Sequence, residues 1–122
     1  MAVRFTRSED VEAGYEYLRS TLPFRRWKLP DPDTLRFAVT AQVDRHGHFD
    51  DHDGKRPYQT IAISNVHTKT YRDLLEVLGH ELVHLKLYRD KYRGWEHHGY
   101  RFAELAKQAC RWHDWNLKHF IG

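Results

Sequence analysis

His80-Glu81-Leu82-Val83-His84 is the one short segment of this chain whose residue types and spacing specify chemistry. It reads HExxH inside a run, 71–92, with the composition and periodicity of an α-helix. Four positions along a helix turn through about 400°, so the two imidazoles stand within roughly 40° of each other, one turn apart, and can hold a single metal ion. Glu81 lies at roughly 100° from His80, poorly placed as a third ligand but well placed to hydrogen-bond a water on the metal and take its proton. The chemistry expected of this trio is zinc-assisted hydrolysis.

The surrounding helix supports a separate face for the histidines. With His80 at 0° on the helical wheel, Leu74, Leu75, Leu78, Leu82 and Leu85 gather nearly opposite, as the core stripe of an amphipathic helix. A core histidine satisfied by one hydrogen bond would sit on or beside that stripe. His80 and His84 instead share a second face with Val77 and Tyr88, which suits a helix packed on one side and lining a cleft on the other.

A catalytic zinc takes three protein ligands and keeps a fourth position open. Trp95-Glu96-His97-His98-Gly99 supplies candidates for the third. The segment 91–94 reads as a helix end, with basic residues in the last turn and Gly94 at the stop, and a new helix is expected from about His98. Two helices joined so closely lie side by side, which brings Glu96, His97 and His98 all within reach. Spacing does not choose among them.

Leu78-Gly79-His80-Glu81-Leu82-Val83-His84, followed after a short basic and aromatic stretch by His98-Gly99-Tyr100-Arg101-Phe102, resembles the SprT-like zinc metalloprotease domain, the group that includes the Spartan proteases. In that family HExxH supplies two ligands and the catalytic Glu, and the His of a downstream HGxxF or HGxxW segment supplies the third ligand. The resemblance therefore implies zinc on His80, His84 and His98, with Glu81 as general base. It covers 61–115 most firmly, extends to the strand and loop at 58–65, and matches 1–57 only in general layout. Several family members carry a zinc ribbon for DNA binding, which needs four Cys or Cys/His ligands at CxxC spacing. With Cys110 as the one cysteine, no ribbon is expected here.

Composition points to one globular domain spanning 1–122. The 40% hydrophobic and 30% charged fractions are ordinary for such a domain, and no run approaches the ~18 apolar residues of a membrane span. The opening residues, 1–7, lack the apolar core of a signal peptide. A single cysteine excludes an internal disulfide and favours a cytoplasmic setting, with Cys110 expected as a small core residue on an amphipathic helix. A monomer is the simplest state.

Net charge is +3 and the pI is near 9.1. Basic residues cluster at Arg25-Arg26-Trp27-Lys28 and at Lys86, Arg89, Lys91 and Arg93, the latter interleaved with Tyr88, Tyr92 and Trp95. Such a surface can track a phosphate backbone and stack on bases, and equally can be a solvated helix face. Weak, sequence-independent binding of single-stranded DNA is the expectation.

Around the motif, Ser8 as N-cap followed by Glu9 and Asp10, with Val11, Tyr15, Leu18 and Leu22 at helical spacing up to Pro23, predicts a first helix. Alternation over 34–44 predicts a half-buried strand, and 58–64 a second; a short strand at 22–29 is weakened by Pro23 and Pro30. The segment 44–54, rich in Asp and His, reads as a polar hairpin loop, a second metal site being the alternative. The last helix should run over 98–118, with no role assigned to His113 and His119. The expected fold is a small α+β domain: an N-terminal helix, a short, mainly antiparallel sheet, and the HExxH helix packed beside a C-terminal helix.

The activity expected is that of a zinc endopeptidase acting on protein or peptide. Tyr92, Tyr100 and Arg101 are near enough in sequence to be considered for oxyanion stabilisation, and an extended substrate could pair with an edge strand near 61–64. Two other classes remain. One is a non-catalytic module whose histidines hold a structural zinc while its surface binds nucleic acid or protein. The other is a regulatory HExxH protease of a different family, with Glu96 or Glu104 as third ligand.

Overall fold

A computed structural model describes residues 7–122; most of the opening segment discussed above lies outside the described residues. The chain forms a small α+β domain, with helices on one face of a three-stranded sheet.

Helix α1, Ser8–Arg19, buries Val11, Tyr15 and Leu18 completely. Its N-cap is Arg7, so Ser8 is the first helical residue. It also stops before Leu22, because the hydroxyls of Ser20 and Thr21 donate back to the carbonyls of Tyr17 and Leu18 at 2.6 and 2.7 Å and satisfy the last turn. The segment 22–29 contains no strand. Phe24–Arg26 is a 3-10 turn that drops Phe24 and Trp27 into the core, their rings 4.8 Å apart.

Strand β1, Leu35–Thr40, is shorter than the alternating pattern because its partner ends. Its last pair is Thr40 with Ser64, and beyond it Val43 is 72% exposed. The 44–54 segment is not a loop throughout, since Gly47–Asp50 forms a strand, β2. Gly-His-Phe-Asp offers one apolar residue and so no alternation to read. The Asp and His side chains around it mostly serve local turns: Asp50 and Asp51 accept from the backbone N–H of His52 and Asp53 at 2.8 and 3.2 Å.

Strand β3, Gln59–Ser64, lies between the other two, parallel to β1 and antiparallel to β2. The sheet is thus mixed, and 44–54 does not form a hairpin between β1 and β3. The register aligns Phe37, Ile61 and Phe49 in one cross-strand row and Val39, Ile63 and Gly47 in the next. With strand period two, both rows share the face on which the helices pack. Ile61 and Ile63 are fully buried, a contribution of about 1.5–3 kcal/mol each.

Helix α2, Tyr71–Arg89, carries the HExxH motif. Thr70 caps it by accepting from the Asp73 N–H at 3.1 Å. The leucine stripe faces inward, with Leu74, Leu78, Leu82 and Leu85 at most 1% exposed. Its stop is Lys91 at φ 59°, where the Tyr92 N–H reaches back to the Leu87 carbonyl at 3.0 Å, and not Gly94.

The expected last helix is two. Helix α3, Tyr100–His113, ends at Asp114 in a left-handed conformation, φ 57°. Helix α4, Leu117–Ile121, then starts under the Asn116 side chain, which accepts from the His119 N–H at 2.8 Å. The break turns Trp115 onto Phe120, rings 5.6 Å apart and nearly parallel. Both rings lie over Gly79, where a Cβ would meet Trp115 at 2.9 Å and Phe120 at 3.3 Å. Glycine beside His80 is what lets α4 approach α2. Among the described residues no helix is long and apolar enough to cross a membrane.

Candidate metal centre

His80 and His84 project from one face of α2, and His98 stands two residues before α3 begins. The three rings converge, with centroids 5.1 Å apart for His80–His84, 4.7 Å for His80–His98 and 5.2 Å for His84–His98. One nitrogen from each lies within 4.8 Å of the others, and the group can hold a metal ion. Phe102, 1% exposed, packs against all three rings at 4.9, 4.8 and 4.5 Å. The aromatic residue four positions after His98 is thus the floor of the site.

Hydrogen bonds on the far side of two rings set which nitrogen faces inward. Nδ1 of His80 donates to the Phe120 carbonyl at 2.8 Å, and Nδ1 of His84 donates to the Trp95 carbonyl at 2.7 Å. A carbonyl can only accept, so both Nδ1 atoms carry the proton and both Nε2 lone pairs are free for a cation. The His84 and His98 Nε2 atoms lie 3.2 Å apart. Two nitrogens on a tetrahedral zinc at 2.0–2.1 Å would be about 3.3–3.4 Å apart, so the His84–His98 pair is spaced as zinc ligands are, and a His80 nitrogen lies within 4.8 Å of both.

Burial holds His80 and His84 down at about 4, against the upward pull of their carbonyl hydrogen bonds. His98 is lowered too, by burial and then by His97. All three are neutral at pH 7, the form that binds metal.

The other proposed ligands stand apart. His97 is exposed and outside the cluster. Glu104 accepts hydrogen bonds from Tyr100 and Arg101. Glu96 lines the cleft without belonging to the histidine group. Among the described residues the cluster is the one group of its kind, so 44–54 builds no second site.

Glu81 is 5% exposed and opens into the same cleft as the three histidines. Burial pushes its carboxyl up to about 8, and Arg45, on the cleft wall, pulls the other way. Arg45 was not singled out by sequence reading; it lies in an exposed loop without a motif. Tyr100 is 75% exposed and Tyr92 lines a separate hollow, so neither they nor Arg101 lines this cleft. Cys110 is buried, its thiol raised to about 11 by burial, as expected of an inert core residue.

The cleft's opposite wall is β2, through Gly47, His48 and Phe49. Since β3 is central, β1 and β2 are the edges, only β2 lines the cleft, and the expected substrate pairing at 61–64 is blocked on both sides. The Ser64 N–H donates to the His46 carbonyl at 2.7 Å, which sets the phase of the ladder. His48 and Asp50 therefore bond to β3, while Gly47 and Phe49 turn their N–H and C=O groups to the free edge.

No protein-family model, curated protein or solved structure matches this chain.

Proposed function

We propose that this chain is a zinc metallopeptidase of the SprT-like kind, hydrolysing peptide bonds in protein substrates. The observation that carries the reading is the pair of Nδ1-to-carbonyl bonds, which aim His80 and His84 at the point His98 also reaches, with buried Glu81 in the same cleft. His80, His84 and His98 would hold zinc, which when bound lowers the pKa of its water towards ~7 and polarises the scissile carbonyl. With zinc bound, the cation's charge would hold the Glu81 carboxyl ionised against its burial, and Glu81 accepts the proton from the attacking water and passes it to the leaving amine. The outward N–H and C=O groups of Gly47 and Phe49 pair with an extended substrate, orienting its backbone. Arg45 is the cation on the cleft wall available to a developing oxyanion. One buried thiol suits a reducing, cytoplasmic setting.

A purely structural zinc site would have no use for Glu81, since it needs no carboxylate beside an open coordination position. Glu81→Gln should therefore retain fold and zinc while abolishing cleavage of a denatured protein substrate. Unchanged proteolysis would remove Glu81 from the mechanism, and zinc binding with no proteolysis in the unaltered protein would favour the non-catalytic module.

Weak contact with single-stranded nucleic acid, and hence action on DNA-associated proteins, is supported by a hollow lined by Tyr88, Tyr92, Trp95, Arg89, Lys91 and Arg93. The other basic cluster contributes less, because Trp27 is buried in the core.

A further inference from the structure

A cavity of about 690 Å³ shares Gly47, His80 and Glu81 with the cleft and is otherwise walled by Val77 of α2 and by Phe120 and Ile121 of α4. Its volume falls within the ~300–1,000 Å³ of ligand-binding pockets, far more than a water site needs. Polar groups on its rim are largely spent on each other. Glu76 and His119 pair at 2.8 Å, and Asn116 caps α4. The His46 ring is stacked on His67 at 4.7 Å. Lys118 also lines it, and most of the remaining wall is hydrocarbon and aromatic surface.

The cavity begins where an extended substrate would pass the metal centre. A peptide bonded to the free edge of β2 reaches His80 and Glu81 at Gly47, the β2 residue common to both hollows. Position 47 must lack a side chain, because a Cβ would lie 2.9 Å from the Ala62 carbonyl oxygen and 3.0 Å from Val77. The strand therefore adds no side chain of its own at the junction. Strand side chains alternate between faces, so one from a paired peptide can point towards α2 and α4.

We propose that this cavity is the specificity subsite of the cleft, taking one bulky apolar side chain, such as Leu, Met, Phe or Trp, next to the scissile bond of a peptide substrate. The inference rests on the metallopeptidase reading for its substrate, but its test does not depend on turnover. Burying such a side chain is worth enough to change affinity by about tenfold or more.

The experiment measures binding of two labelled octapeptides, identical but for Phe or Gly at one central position, to zinc-loaded Glu81→Gln protein. The Phe peptide should bind at least about tenfold more tightly. Val77→Phe, and separately Ile121→Trp at the cavity mouth, should erase that advantage while zinc content and circular dichroism stay unchanged. Equal binding of the two peptides, or of neither, overturns the subsite, as does an advantage that survives in both folded variants. Cleavage by the unaltered protein separates the two ideas: turnover without preference for Phe sinks the subsite alone. Preferential binding without any turnover sinks the peptidase reading and leaves the pocket as a peptide-binding site.

Discussion

The carbonyl of Phe120, in the last short helix, accepts a 2.8 Å hydrogen bond from Nδ1 of His80, forty positions earlier in the chain. That bond fixes the His80 tautomer and ring plane, as the Trp95 carbonyl does for His84. A candidate metal ligand on α2 is thus held by an element that the motif does not include. Deleting 117–122 should lower zinc affinity by about 10–100-fold while leaving all three ligands in place. Competition against a fluorescent chelator measures this; an undiminished affinity would mean that α4 does not orient His80.

The third ligand is tested by metal content. His98→Ala should lose most of its zinc, whereas His97→Ala and Glu96→Ala should keep it, because only His98 brings a nitrogen into the cluster. Full occupancy in His98→Ala, with loss in either neighbour, would refute the assignment.

His113 gives a pH dependence away from the metal centre. Its ring stacks on Trp115 at 4.5 Å, its Nε2 lies 3.0 Å from the Thr21 hydroxyl, and burial lowers its pKa from 6.5. Below 6.5 the unfolded chain then binds more protons than the folded one, so the contribution is whole above that pH and is lost as pH falls below it. His113→Gln, which does not titrate, should lose less stability than the unaltered protein between about pH 7.5 and pH 5.5. Urea midpoints of both metal-free proteins provide the comparison, and parallel declines would exclude the role.

Single-stranded DNA should bind weakly and without sequence preference, because the few cations at the Tyr88–Trp95 hollow release few counterions, and its affinity should fall as salt rises with a slope set by those few contacts. Reversing the charge of Arg89, Lys91 and Arg93 should abolish it. Salt titration by fluorescence anisotropy decides: no binding at low salt argues for a protease without nucleic-acid contact, and tight binding at about 200 mM salt would mean a stronger interface than a few phosphate contacts provide.

By itself the sequence determined what local periodicity and residue chemistry can encode. The leucine stripe of α2 and the separate histidine face follow from one helical period, and they are where the structure puts them. The cores of α1, β1 and β3 were equally legible, from Val11, Tyr15 and Leu18 and from the alternation around Phe37 and Ile61. The ends of α1, β1 and α2 were not, because side-chain hydroxyls, a missing partner strand and a left-handed lysine stop them, whereas β3 ends at Ser64 as its pattern does.

Tertiary structure decided everything that depends on which distant groups meet. Glu96, His97 and His98 are equivalent by spacing, and only the packing of α3 beside α2, with Phe102 beneath the rings, brings one of them to the cluster. Strand β2 has a single apolar residue, and its place as the edge beside the cleft comes from the pairing order and the packing. The break at Asp114 lies inside a continuous helical pattern, yet the stacking of Trp115 and Phe120 over Gly79 folds α4 back and delivers a backbone carbonyl to His80. A backbone group carries no residue signature, so that part of the site could be seen only in three dimensions.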